Sequence, residues 1–207
     1  MRRPRFIAEQ ARNATGFLGR VIASIMARET WKENLRAVEA LNIRPHDHVL
    51  DIGCGHGRAL SELARRAPQG RIAGVDPSRL MAEMAAERNQ RHIRAGRVDI
   101  SDSGVDNIPY ADASFDKALC VHAVYFWSDI GAAFREISRV LKPGGRAALV
   151  LRTAANEAAV GAFPQDIYRF HSLDDLYAAM AGAGLVCNQK GDEDEKRNSV
   201  LLMIEKV

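Results

Sequence analysis

A chain of 207 residues with 47% apolar and 27% charged residues has an ordinary globular balance, and it is long enough for one good hydrophobic core. A net charge of +3 is too small to point to nucleic acid. No run reaches the roughly 18–20 apolar residues of a membrane span, and no signal-peptide block precedes the body of the chain, so a cytoplasmic protein is expected. Cys54, Cys120 and Cys187 lie far apart and form no CxxC pair, which predicts a reducing compartment, no disulfide frame and no thiolate zinc site.

In chain order, residues 1–28 come first and are strongly basic, with six Arg (Arg2, Arg3, Arg5, Arg12, Arg20, Arg28) against one acid, Glu9. Within them Phe17, Leu18, Val21, Ile22, Ile25 and Met26 recur at helical spacing and predict an amphipathic helix. From residue 47 onward, β-rich runs alternate with helical patterns. Strands are predicted at 48–52, 71–75, 97–101, 115–121 and 146–152, and helices at 58–66, 79–93, 130–140 and 172–183. Two final strands at 185–189 and 200–207 have no helix between them. Their charged connection, KGDEDEKRN, reads as the solvated tip of an antiparallel hairpin. The alternation implies an α/β fold with a doubly wound, mostly parallel sheet of seven strands and an antiparallel last strand. It forms one domain: a helical extension at 1–42, a core at 43–152, and a closing segment at 153–207.

The stretch VLDIGCGHG (49–57) places a strand, an acid and three glycines in sequence: Asp51, Gly53, Gly55 and Gly57. In a doubly wound sheet, ligands sit at the carboxyl ends of the strands, and glycines in the first strand-to-helix turn let the backbone approach them. A phosphate-cradling P-loop needs a GxxxxGK[ST] pattern that is absent here. A dinucleotide fingerprint needs a third glycine where Arg58 stands. About 20 residues further on, the second strand ends at Asp76 and Pro77. A carboxylate there suits a ribose diol and repels a 2′-phosphate; alternatively Asp76 caps the following helix, a task Ser78 could also take.

With AGVDPS (73–78), the stretch IPYADASFDKALCVHAVYFW (108–127) and REISRVLKPGGRAALV (135–150), VLDIGCGHG resembles, motif by motif and in order, the class I S-adenosylmethionine-dependent methyltransferases of the small generic type. The resemblance implies S-adenosylmethionine as cofactor and methyl transfer as the activity. It implies that Gly53 and Gly55 lie against the methionine part of the cofactor, with Asp51 on its amino group, and that Gly57 belongs to the same cofactor-binding turn. Asp76 would hold the ribose and Pro77 would pack near the adenine. Gly104 and Val105 stand where relatives place an adenine-contacting acid, so Asp102 or Asp106 would substitute. Val121 and His122 would line the methyl-donor site.

His122 is the expected catalytic residue, a general base with a reference pKa near ~6.5, unless it only shapes the pocket. Tyr125, Phe126 and Trp127 either face a cationic group or belong to the core. The N-terminal helix is expected to lie as a lid with its apolar face packed over the acceptor site. Its basic flanks also fit peripheral contact with an anionic membrane surface. The acceptor is open, with a small metabolite or lipid amine favoured. The alternatives are a non-catalytic cofactor-binding protein and an NAD-dependent oxidoreductase.

Overall fold

The computed structural model describes residues 3–190 and 199–207, so Arg2 and the charged hairpin tip at 191–198 lie outside the described residues. Three helices precede the first strand: α1 (Arg5–Arg12), α2 (Gly16–Glu29) and α3 (Trp31–Ala40). The alternating core follows as β1 (Val49–Ile52), α4 (Arg58–Arg66), β2 (Ile72–Val75), α5 (Arg79–Arg94), β3 (Val98–Ser101), β4 (Phe115–Val121), α6 (Ile130–Val140) and β5 (Leu141–Leu151). The chain closes with α7 (Glu157–Ala162), α8 (Leu173–Gly182), β6 (Leu185–Lys190) and β7 (Val200–Lys206). The strands form one sheet in the order β3-β2-β1-β4-β5-β7-β6. Strands β1 to β5 pair in parallel, and β7 runs antiparallel to both β5 and β6. This is the expected doubly wound sheet with its reversed last strand.

Side-chain alternation assigns the two faces. Leu50 and Ile52 of β1 join one apolar layer with Phe134 and Ile137 of α6 and Leu176 of α8. Val49 joins the other with Val38 of α3, Leu60 and Leu63 of α4 and Ala85 of α5. Because helices cover both faces, β1 is buried along its whole length, including Asp51. Local chemistry sets the helix starts: the side chains of Ser78, Asp129, Asn156 and Ser172 accept the amide hydrogens of Met81, Ala132, Ala159 and Asp175. The order reverses around β1, whose neighbours are β2 on one side and β4 on the other. A cleft therefore opens at the carboxyl ends of β1 and β4.

Two expectations change. Strand β5 begins at Leu141 rather than 146, because the LKPGG stretch, with Gly144 at φ +72°, continues the pairing from Phe115↔Leu141. The N-terminal apolar face is turned the other way. Helix α2 buries Gly19, Ile22 and Ala23, and leaves Phe17, Leu18, Val21 and Ile25 exposed. The buried side is set by small residues: a Cβ on Gly19 would meet Gln10 and Leu80, so α2 approaches its neighbours closely only where side chains are minimal.

Candidate active site

The floor of the cleft is built by backbone. After β1 the chain turns through Gly53 (φ +73°), Gly55 (φ +53°) and Gly57 (φ +75°), a left-handed region costly for other residues. The amides of Gly53 and Cys54 donate to the carbonyl of Val75 at 2.8 and 3.1 Å, tying this turn to the end of β2. The three glycines serve different ends. A Cβ on Gly53 would collide with Ala123, and one on Gly57 with Ala85 and Asn89 of α5. A Cβ on Gly55 would meet no protein atom within 4 Å. Gly55 lines a cavity of about 460 Å³.

Nine of the ten residues expected to bind cofactor line this cavity: Asp51, Gly53, Gly55, Asp76, Pro77, Gly104, Val105, Val121 and His122. Gly57 does not. It starts α4, and its carbonyl accepts from the Asn89 side chain at 2.9 Å, so it is a glycine of helix packing. In the loop after β3, Ser103 and Asp106 line the cavity beside Gly104 and Val105, whereas Asp102 does not.

The two acids differ in their surroundings. Asp76 accepts the amides of Gly55 and Ser78, both at 2.9 Å, while Ser78 caps α5 and donates to the carbonyl of Ala14. Asp76 is thus a brace of the loop as well as part of the wall. Burial nonetheless pushes its carboxyl above the usual range. Asp51 is 3% exposed, and its Oδ2 has no hydrogen-bond partner. Burial, and then the neighbouring Asp76, push its carboxyl up to about 8. An orphaned, buried carboxylate facing a cavity calls for a cation, and the ammonium of an amino-acid ligand supplies one.

The roof comes from the N-terminal helices. Ala23, Met26 and Ala27 of α2 and Trp31 and Asn34 of α3 close the cavity over the glycine turn. Arg58, the residue in the third-glycine position, lies with its guanidinium carbon 3.9 Å from the centre of the Trp31 ring, joining floor to roof. The expected helical lid would turn Phe17, Leu18, Val21 and Ile22 inward; none of those four lines the cavity.

At the end of β4, His122 has φ +58°, an unusual conformation for a side chain of its size. Its Nδ1 lies 2.9 Å from the Tyr125 hydroxyl, and its Nε2 lies 3.1 Å from Oε1 of Glu33 on α3. The Tyr125 oxygen accepts the amide of Arg152 at 2.6 Å, which leaves the phenol proton free to donate to Nδ1. Nδ1 is thus hydrogen-bonded to Tyr125, while Nε2 stands at ion-pair distance from Glu33. Burial would raise the Glu33 carboxyl, but His122, then the Ser199 hydroxyl and the Arg152 charge, outweigh it and hold it at about 2. Glu33 had a sequence signal: it falls one helical turn before Ala37 and two before Leu41 on a core-facing stripe, where a lone acid needs a partner.

A second cavity, about 310 Å³, adjoins the first and shares Met26, Thr30, His122 and Phe126 with it. The rest of its lining is partly aromatic, from Tyr125, Phe163 and Tyr168, and partly charged, from Arg3, Glu29, Glu33 and Arg152. Tyr168 packs 4.8 Å from Phe126 and 4.5 Å from Phe163, centre to centre. Tyr125 and Trp127 are buried, while Phe126 faces both cavities.

Residues 50–149 match the family model described as a methyltransferase domain. The chain is a class I S-adenosylmethionine-dependent methyltransferase. It is 27% identical over 202 residues to a ubiquinone/menaquinone biosynthesis C-methyltransferase of Geotalea daltonii, covering 85% of each. It is 34% identical over 148 residues to an O-methyltransferase of Aspergillus nomiae, covering 66% of this chain and 63% of that protein. Among solved structures, the geranyl diphosphate C-methyltransferase of Streptomyces coelicolor superposes with a TM-score of 0.72 at 19% identity, covering 85% of this chain and 76% of that one. That likeness is one of fold. The chain spans less than two thirds of the length of several curated relatives that it matches. The cofactor is S-adenosylmethionine, and the dinucleotide alternative falls away with the family assignment. Among the described residues no helix is long and apolar enough to cross a membrane.

Proposed function

We propose that this methyltransferase acts on a small, flat, largely apolar acceptor seated in the second cavity. The observation that carries the reading is the meeting of the two cavities at Met26, Thr30, His122 and Phe126, with the aromatic wall of Phe126, Phe163 and Tyr168 on the side away from the glycine turn. Flat apolar molecules stack on such walls at little cost in conformational entropy. The Geotalea relative, named for quinone biosynthesis, lends the same direction.

The cofactor supplies an electrophilic methyl group on a sulfonium. In this reading Asp51 pairs with the amino-acid ammonium, Asp76 accepts the ribose hydroxyls, and the Gly55 backbone lets the ligand close in. The loop at 103–106 borders the adenine. Helices α2 and α3 exclude water. Tyr125 and Glu33 lock the His122 ring at the junction, so that the acceptor is held in line with the methyl group. Orientation of this kind is worth up to roughly 7–11 kcal/mol in favourable cases. Glu33, its carboxyl held at about 2, is ionised and faces His122, whose Nδ1 is bonded to Tyr125, so at the junction of the two cavities the polar groups face one another. Such a junction suits an electron-rich acceptor that reacts before it loses a proton.

A transfer assay with labelled S-adenosylmethionine across phenols, quinols and aliphatic amines tests the proposal. Transfer to aromatic acceptors, weakened by Tyr168→Ala with cofactor affinity unchanged, is the expected result. Preference for aliphatic amines would overturn the acceptor class. Tight cofactor binding with no transfer to any acceptor would return the protein to the class of non-catalytic binders.

A further inference from the structure

The outward side of α2 carries four large apolar side chains that the fold does not use. Phe17 is 83% exposed, Leu18 51%, Ile25 51% and Val21 40%. At 100° per residue they occupy one flank of the helix, and Arg28 falls on the same stripe. The opposite flank, with Gly19, Ile22 and Ala23, is buried. A contiguous apolar ridge on the surface marks an interaction site.

The charges around the ridge indicate its partner. Residues 3–36 contain seven cations (Arg3, Arg5, Arg12, Arg20, Arg28, Lys32, Arg36) and three acids. Glu33 is buried, and Glu9 and Glu29 are bonded to Arg5 and Arg3. Arg12 before the helix, and Arg28 and Lys32 at its far end, are exposed and have no carboxylate partner among the described residues. An apolar ridge flanked by uncompensated cations complements a surface of anionic headgroups over hydrocarbon. A second copy of the chain is a poorer match, since a two-fold contact would set these cations against their own kind. With no helix among the described residues long and apolar enough to span, the contact lies in the interface plane.

We infer that α2 docks this methyltransferase peripherally on an anionic membrane, with Phe17, Leu18, Val21 and Ile25 entering the boundary between headgroups and acyl chains. The docking flank and the cavity roof are then opposite sides of one helix, because Ala23, Met26 and Ala27 line the cofactor cavity.

Flotation of the full chain with phosphatidylcholine vesicles, with and without phosphatidylglycerol, tests the inference. The protein should float with the anionic vesicles, and less as salt rises. Arg28→Gln and Lys32→Gln, both on exposed side chains, should each lower the partition coefficient about fivefold. The combined change Phe17→Ser, Val21→Ser and Ile25→Ser should lower it about tenfold or more while cofactor affinity is kept. Absence of flotation with anionic vesicles at low salt would overturn the inference. So would equal binding to neutral vesicles, or variants that bind as the parent does. A dimer that the triple change dissociates, without vesicle binding, would assign the ridge to a second copy instead.

Discussion

The floor and the roof of the cofactor cavity are made in different ways. The floor, from Asp51 to Gly55 and from Val75 to Ser78, is set by backbone: left-handed glycines, two amides on one carbonyl, and a carboxylate that ties Gly55 to Ser78. The roof, α2 and α3, is set by which side of each helix faces inward. A backbone demand admits few residue types, so it can be read from a sequence. An apolar stripe says that a face wants cover and does not say what covers it.

Asp76→Ala should have the largest effect, because it removes a wall group and a brace together. Two charge-assisted hydrogen bonds at roughly 1.5–3 kcal/mol each put the affinity loss near two to four decades by calorimetry. A ribose-binding acid at a strand tip would leave apo stability almost unchanged. The bonds to the Gly55 and Ser78 amides argue otherwise, and the apo melting temperature should fall by roughly 2–8 °C. Unchanged melting would mean that the floor holds its shape without its acid.

Asp51→Asn separates binding from bracing. It should cost about one to two decades of affinity, yet raise apo stability near neutral pH. The sign follows from a folded pKa of about 8 against an ordinary 3.8: the protonated form is favoured in the fold, so the stabilisation is complete below about pH 4 and lost as pH rises through about 8. Asparagine has no such loss. Cofactor binding by the parent should also release a proton below pH 8, and the variant's should not. Melting curves from pH 5 to 9 for the two proteins, parallel at every pH, would refute the reading of Asp51.

Gly55→Ala should lower affinity about tenfold, from roughly 1–2 kcal/mol of left-handed strain together with a methyl group placed in the open space. Gly57→Ala meets Ala85 and Asn89 instead, so it should lower stability more than affinity. Equal affinity losses at both positions would erase the distinction between a ligand glycine and a packing glycine.

That distinction marks how much was legible. The doubly wound sheet with its reversed last strand, and the gathering of Asp51, Gly53, Gly55, Asp76 and the loop at Gly104 and Val105 around one cavity, followed from motifs that local geometry demands. Gly57 was over-read, since a left-handed glycine at a helix start looks the same whether a ligand or α5 sits above it. The face of α2 was misread because Phe17 and Val21 were weighted by hydrophobicity. The small residues Gly19, Ala23 and Ala27, spaced four apart, mark the side that comes close to other backbone. Helices α1 and α3 are amphipathic without strong caps, and no side chain caps either of them. The Glu33–His122 pair joins residues 89 positions apart, a proximity that no single-chain pattern encodes.

The smallest expected effect tests whether floor and roof act as one. Arg58 lies in the floor's first helix and Trp31 in the roof, with the cation 3.9 Å from the ring centre. A cation–π contact at a partly exposed site is worth roughly 0.5–1 kcal/mol. Arg58→Gln and Trp31→Leu should therefore each weaken cofactor binding about two- to fivefold, since both residues line the cavity and the contact helps hold it shut. The pair should be non-additive: once Trp31 is gone, Arg58→Gln should cost little more, leaving a coupling of roughly 0.5–1 kcal/mol in a double-mutant cycle. If each side chain instead bound the ligand alone, the two losses would add, and the roof would be a wall that rests on the floor without being fastened to it.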